Sequence, residues 1–164
     1  MFEFINEKIK SRMNYLEEID KMDRKDGTPR MQRLRQITPE TGRFIALIAS
    51  TCPNGEFIEI GTSAGYSALW ICLAAIERKI KIKTFEILPE KIKLAKETFS
   101  KAEVEKYIDL FEGDAVNHLK TIDKISFCFL DAEKEIYESC WDIVSEKIIP
   151  GGILAADISD DSPS

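Results

Sequence analysis

Histidine is almost absent from this chain: His118 is the only one in 164 residues, and four cysteines accompany it. Those cysteines (Cys52, Cys72, Cys128 and Cys140) form no C-x-x-C pair, so neither a zinc site of ordinary Cys/His spacing nor a dithiol redox centre has support. Cys72 and Cys128 sit inside apolar runs, where cysteine acts as a small hydrophobe. No stretch reaches the roughly 18 apolar residues of a membrane span. The N-terminal MFEFINEKIKSRMNYLEEID carries acids throughout and lacks an apolar core, so it does not read as a signal peptide. With a net charge of −6 the chain has no excess of positive charge for broad attraction to nucleic acid or anionic lipid. Internal repeats are missing too. What remains is one soluble domain, expected in the reducing cytoplasm.

The chain that is present has a clear rhythm. Ile5, Ile9, Met13, Leu16 and Ile19 recur at helical spacing and predict an amphipathic helix over 3–22. DRKDGTPRMQRLRQ then reads as a polar connection, open to movement. Thr38-Pro39-Glu40 marks a helix start, with Phe44, Ile45, Leu47 and Ile48 as its buried face. From Glu56 onward, strand and helix patterns alternate. EFIEIG, KIKTFEI, YIDLFEG, SFCFLD and GGILAAD are the strands. AGYSALWICLAAIER, PEKIKLAKETFSKAE, AVNHLKTI and EIYESCWDIVSEKII are the helices between them, with Trp70 and Trp141 read as core and His118 as a partly exposed helix residue. This alternation predicts an α/β fold: β-α-β units forming a parallel sheet with helices on both faces. The expected organisation is an N-terminal helical segment (1–36), a ligand-binding core (37–158) and a polar tail (159–164).

In open sheets of this kind ligands bind beyond the carboxyl ends of the strands. Glu59 to Gly61, Glu86, Gly113-Asp114, Asp131 and Asp157 fall there. Each acid also has a plainer reading as the cap of the next helix. The turn FIEIGTSAGYSALW (57–70) offers Gly61 and Gly65 for close backbone approach, but the three glycines of G-x-G-x-x-G are lacking, as is the P-loop spacing with its lysine. Acids at the strand ends disfavour a polyphosphate. Glu86, ending the second strand, stands where a carboxylate accepts ribose hydroxyls. A ribose-bearing, phosphate-free, cationic cofactor fits, and S-adenosyl-L-methionine is such a molecule.

E-I-G-T-S-A-G-Y-S, T-F-E-I-L-P-E-K, F-E-G-D-A, F-L-D-A-E-K-E-I-Y and P-G-G-I-L-A-A-D occur in that order. Together, over about residues 35–158, they resemble the motifs of the small cation-dependent O-methyltransferases, the catechol and caffeoyl-coenzyme A O-methyltransferase group. The resemblance implies a Rossmann-like, doubly wound class I methyltransferase fold and an enzyme that methylates a hydroxyl. It also implies a cofactor set of Ile37, Glu59, Gly61, Thr62, Ser67, Glu86, Asp114, Ala115 and Asp131. Within that set Ser67 would bind the methionine carboxylate, Glu86 the ribose and Ala115 the adenine through its amide. Asp131 and Asp157 would hold Mg²⁺ or another divalent cation, and Lys134 would act as general base beside Asp131.

Two departures from that pattern stand out. The family pairs the fifth-strand aspartate with an asparagine ligand, whereas here Asp157 is followed by Ile158, so weakened metal binding is expected, with Asp160 or Asp161 as the carboxylates able to reach back. Relatives also continue for two further strands, which leaves the fifth strand as an apolar edge that a second copy would cover in a homodimer. The acceptor is expected to be a small catechol-like molecule. A local basic cluster (Arg24, Lys25, Arg30, Arg33 and Arg35) keeps phosphate-bearing acceptors open, among them the hydroxylated wobble uridine of tRNA. A cofactor-binding domain without catalysis is a further alternative. Tyr66 is left between touching the cofactor and packing.

Overall fold

The computed structural model describes residues 5–158, apart from the Met31 side chain. Five parallel strands form one sheet in the order β3-β2-β1-β4-β5. They are β1 (Glu56–Ile60), β2 (Ile82–Glu86), β3 (Ile108–Glu112), β4 (Ile125–Leu130) and β5 (Ile148–Ala156). The chain runs outward from β1 to β3, then returns to place β4 on the other side of β1. That reversal opens a crevice between the carboxyl ends of β1 and β4. The register is direct: Ile60 pairs with Phe85 on one side and with Leu130 on the other.

Every residue of β4 is buried, as a central parallel strand covered on both faces requires. Alternation along the strands divides the core. Phe57, Ile82, Phe127 and Phe129 pack with helices α1 (Glu7–Asp23), α2 (Pro39–Thr51), α3 (Tyr66–Arg78) and α4 (Pro89–Ala102). Ile58, Ile60, Phe85, Cys128 and Leu130 face α5 (Ala115–Leu119) and α6 (Tyr137–Lys147) on the opposite side. Each fully buried large side chain here contributes roughly 1.5–3 kcal/mol, so the two layers fix the strand register before any ligand is present. All four cysteines are free and buried, and burial pushes the Cys140 thiol to about 11 and Cys72 to about 12, leaving them inert as packing residues.

Several helices differ in detail from the sequence pattern. The first starts at Glu7, with Asn6 as its cap accepting from the Lys8 amide; the expected start at residue 3 lies outside the described residues. In α2, Phe44 and Leu47 are exposed rather than buried, because Gly42, Ile45, Ala46 and Ala49 form the inner face. Gly42 explains the choice: a Cβ there would lie 2.3 Å from Trp70 Nε1, so the indole occupies the space a side chain would need. Trp141 is exposed as well, since α6 buries Cys140 and Val144, four residues apart, instead. The helix AVNHLKTI ends at Leu119, and α6 stops at Lys147 because Ile148 already pairs with Ile125 of β4. Trp70 is core as expected, and Tyr66 is packing: its hydroxyl donates to Glu17 Oε1 at 2.7 Å.

The connection after α1 is held rather than loose. Asp23 Oδ2 accepts the Leu34 amide at 2.7 Å, Asp20 Oδ1 accepts that of Gln36 at 3.3 Å, and a short 3-10 turn spans Arg30–Gln32. Residues 33–37 thus form a strap lying across the strand ends.

Candidate active site

The turn after β1 is shaped by its glycines. Gly61 sits at φ +96°, and a Cβ there would fall 1.8 Å from the Asp131 carbonyl oxygen. Only glycine lets the β1 and β4 ends approach this closely. The Gly61 and Thr62 amides both donate to Phe85 O, at 3.1 and 3.2 Å, tying the turn to β2. Gly65, at φ +88°, precedes α3 and leaves that helix without a side-chain cap.

Glu86 is the centre of the turn's wiring. Its Oε2 accepts the Ser63 amide at 2.7 Å, and its Oε1 accepts the amides of Ile87 and Leu88 at 2.9 and 3.0 Å. Three backbone donors hold the carboxylate in place. It borders a cavity of about 430 Å³, mostly apolar, whose wall includes Gly61, Phe85, Ile87, Asp114, Ala115 and Asp131. Asp114 has two parts: it borders the cavity, and its Oδ1 caps α5 by accepting the Val116 amide at 2.9 Å. Ile87 is 62% exposed, a large apolar side chain on the cavity wall.

A second cleft of about 480 Å³ adjoins the first, sharing Arg35, Asp131, Ala132 and Glu133 with it. Arg35 Nη1 pairs with Glu133 Oε1 at 2.5 Å across this common wall. The cleft is polar. Arg24, Arg30 and Arg35 of the N-terminal segment line it together with Ile37 and with Asp131, Lys134 and Asp157 from the β4 and β5 ends. Tyr137 donates its hydroxyl to the Asp157 carbonyl at 2.5 Å. Burial, then the negative charges of Asp131 and Asp157, push the Tyr137 phenol up to about 12, so it stays protonated. Among the described residues no group of three or more His, Cys, Asp or Glu side chains is gathered as a metal site.

Eight of the residues picked from sequence meet at these cavities: Gly61, Glu86, Asp114, Ala115 and Asp131 at the first, and Ile37, Lys134 and Asp157 with Asp131 at the second. Glu59, Thr62 and Ser67 line neither. Glu59 is fully buried, Thr84 Oγ1 donates to its Oε2 at 2.6 Å, and Thr62 Oγ1 lies 2.5 Å from Thr84 Oγ1. Burial raises the Glu59 carboxyl to about 8, against the lowering pull of the Ser67 and Thr84 hydroxyls. Its Oε1 has no hydrogen-bond partner among the described residues, and the raised pKa favours the protonated carboxyl, so the group sits behind the turn as a support. Asp160 and Asp161 lie outside the described residues, and Ile158 is 79% exposed with nothing to offer a cation. His118 stacks on Phe85 with ring centroids 5.4 Å apart, a packing role. Of the basic cluster, Arg33 is turned away, its Nε donating to Thr28 O at 2.7 Å.

Sequence reasoning missed Ser63, Lys91 and Tyr137. Lys91 was not singled out in the sequence, yet it is buried on the first cavity's wall. The proline-led start of α4 directly after Glu86 was the available signal, because it places the first turn beside the strand end.

The chain is 25% identical over 126 residues to a catechol O-methyltransferase of Niastella koreensis, covering 74% of this chain and 57% of that one. It is 30% identical over 128 residues to the mouse catechol O-methyltransferase domain-containing protein 1, covering 73% and 47%. The chain spans about half the length of the curated relatives it matches. In fold it is similar to an SAH-bound methyltransferase of Podospora anserina (TM-score 0.75, 24% identity, 93% of this chain and 62% of that one). It is also similar to an O-methyltransferase of Bacillus cereus in complex with SAH (TM-score 0.70, 19% identity, 90% and 66%). The O-methyltransferase family profile matches residues 6–159, nearly the whole chain, and the chain belongs to that family.

Proposed function

We propose that the protein binds S-adenosyl-L-methionine in the apolar cavity and transfers its methyl group to a hydroxyl oxygen of a small acceptor held in the polar cleft. The carrying observation is Glu86: a carboxylate fixed by three backbone amides, beside the open turn at Gly61, in a cavity that shares a wall with a second one. A carboxylate so placed takes up ribose hydroxyls, and Ile87 with Ala115 and Val116 offers apolar surface to an adenine. The uncapped start of α3 after Gly65 presents amide donors to the methionine carboxylate.

The transfer is an in-line displacement. The acceptor oxygen forms a bond to the methyl carbon, the carbon–sulfur bond breaks, and its electron pair neutralises the sulfonium. Asp131, on the wall common to both cavities, stands at the passage between donor and acceptor. The protein's task is to hold two reactants in line and keep the donor's charged centre away from water. The acceptor's proton passes to Lys134 on the cleft wall when that side chain is in its neutral amine form, whose lone pair takes the proton and leaves an ammonium.

The donor set suits a divalent cation with few protein ligands. Asp131 and Asp157 end neighbouring strands, border one cleft, and both act on Tyr137 electrostatically. Mg²⁺ takes about six oxygens and keeps several waters, so two carboxylates can hold it despite Ile158. A bound cation would lower the acceptor's pKa and orient its oxygens. Three arginines lining the same cleft favour an acceptor bearing negative charge, which keeps the tRNA wobble-uridine reading as the second choice.

Calorimetric titration with S-adenosylhomocysteine, followed by transfer assays from labelled cofactor to catechols and to tRNA, with and without Mg²⁺, tests the proposal. Saturable cofactor binding and a methylated catechol are expected. Absence of cofactor binding defeats the reading.

A further inference from the structure

Among the described residues, five other than glycine have a positive φ: Arg35, Ser63, Lys79, Glu103 and Lys124. Lys79 and Glu103 end α3 and α4, where a left-handed residue is the common way to stop a helix. Lys124 turns the chain into β4. Ser63, at φ +46°, and Arg35, at φ +50°, end no helix, and both border the apolar cavity. Such a backbone is costly for a residue with a side chain and persists only where its surroundings hold it.

What holds them is one contact. Ser63 Oγ donates to the carbonyl oxygen of Leu34, the residue before Arg35, at 3.0 Å. The Leu34 amide donates to Asp23 Oδ2 at 2.7 Å, so Leu34 is gripped by α1 through its amide and by the glycine turn through its carbonyl. Ser63 thus acts in two directions with two groups: its amide fixes Glu86 Oε2 at 2.7 Å, and its hydroxyl fixes the strap. The strap serves both halves of the site. Leu34 borders the apolar cavity, Gln36 and Ile37 border the polar cleft, and Arg35 borders both and pairs with Glu133. Fixing Leu34 therefore places the side chains that the next three residues contribute to the polar cleft.

We propose that Ser63 is a positioning residue for the acceptor: its hydroxyl ties the strap that walls the polar cleft to the turn that borders the apolar cavity. A carbonyl only accepts, so a donor is needed at this position, and the serine hydroxyl supplies it. The Lys91 ammonium donates to Arg33 O at 2.6 Å and the Gln36 amide to Asp20 Oδ1 at 3.3 Å, holding the strap on either side of Leu34. Loss of the hydroxyl therefore loosens the strap without detaching it, and leaves the amide that fixes Glu86 in place. This inference rests on the proposed function, with the acceptor in the polar cleft.

The test compares wild type with Ser63→Ala in three measurements: S-adenosylhomocysteine affinity, the kinetics of catechol methylation, and hydrogen exchange of the Leu34 and Gln36 amides. In the variant, strap exchange about fivefold faster and a catechol KM about fivefold higher are expected, the worth of one neutral hydrogen bond. Cofactor affinity and kcat are expected to stay within about twofold of wild type. An unchanged KM overturns the proposal, as does a rise in KM without faster strap exchange. A fall in cofactor affinity matching the rise in KM also overturns it, because the hydroxyl then acts on the cofactor side. A merely structural serine lowers the unfolding temperature on substitution and leaves KM and strap exchange alone, which counts against the proposal equally. Should the alanine variant fail to fold, Ser63→Gly, which accepts a positive φ freely, carries the same comparison. Failure of wild type to bind S-adenosylhomocysteine or to methylate catechol overturns the functional reading, and the role of Ser63 with it. A normal wild type with unchanged variants removes the role of Ser63 alone.

Discussion

The two adjoining cavities are built on different plans. The cofactor cavity is walled by strand ends and backbone: its turn hangs on amide-to-carbonyl bonds from Gly61 and Thr62, and its one central acid is held by three further amides. The polar cleft is walled by charged side chains from distant parts of the chain, Arg24 and Arg30 from one end and Asp157 from the other. Backbone walls cannot change without refolding, while side-chain walls can be exchanged one residue at a time. Under the proposed function, the apolar half would be the rigid part of the site, and the polar half would be where specificity is set.

Substitutions at the two halves break or sharpen that contrast. The largest effect is expected at Gly61. Gly61→Ala drives a Cβ into the Asp131 carbonyl from a left-handed backbone, and a loss of about 3 kcal/mol or more in urea unfolding, with no detectable cofactor binding, is expected. A stable, cofactor-binding alanine variant shows that the strand ends are free to part.

Glu59 comes next, through pH. Its carboxyl titrates at about 8 in the folded protein against an ordinary 4.5, so between those values the unfolded chain has released the proton while the folded one keeps it. Stability therefore falls as pH rises across that window and levels off above it, by a total on the order of 5 kcal/mol. Glu59→Gln, which keeps an oxygen for Thr84, removes this slope: equal to wild type near pH 4.5 and more stable at pH 8. Parallel unfolding curves for the two proteins across the range contradict the assignment.

At Glu86 the effect is on the ligand. Glu86→Ala strips the acceptor from three amides and the ribose contact, and a loss of about a hundredfold in S-adenosylhomocysteine affinity is expected by calorimetry. Asp157→Asn, in the other half, is expected to leave that affinity within about twofold while abolishing any stimulation of transfer by Mg²⁺. If both substitutions weaken cofactor binding equally, the two halves are not separate. The smallest change belongs to the common wall. Arg35→Ala removes a partly exposed ion pair with Glu133, worth less than about 1 kcal/mol in stability, and its trace is expected in the acceptor KM rather than in unfolding.

The wall of the apolar cavity was legible in the sequence because its determinants are local. Gly61, Glu86, Asp114 and Asp131 each end a strand or begin a turn, and hydrophobic alternation locates strand ends. Helix faces were less legible where size, not hydrophobicity, decided. Phe44 and Leu47 lost the inner face of α2 to Gly42 and Ala46 because Trp70 of α3 needs the room, and nothing within α2 announces that neighbour. Glu59 shows the same limit from the polar side. Its position promised a ligand contact, whereas Thr84 of the next strand claims it in the interior. Lys91 is the converse, an ordinary surface letter in the sequence that the strap and Asp23 enclose.

Sequence alone determined the order of elements, the parallel sheet and the glycine turn, since period and turn chemistry act between residues close in the chain. Tertiary structure alone decided which carboxylates face a cavity, that Arg24, Arg30 and Arg35 line one cleft with Asp131 and Asp157, and that a lysine of α4 borders the same cavity as Glu86. Those meetings join residues far apart in the chain, and they exist only once the packed sheet has fixed where each strand ends.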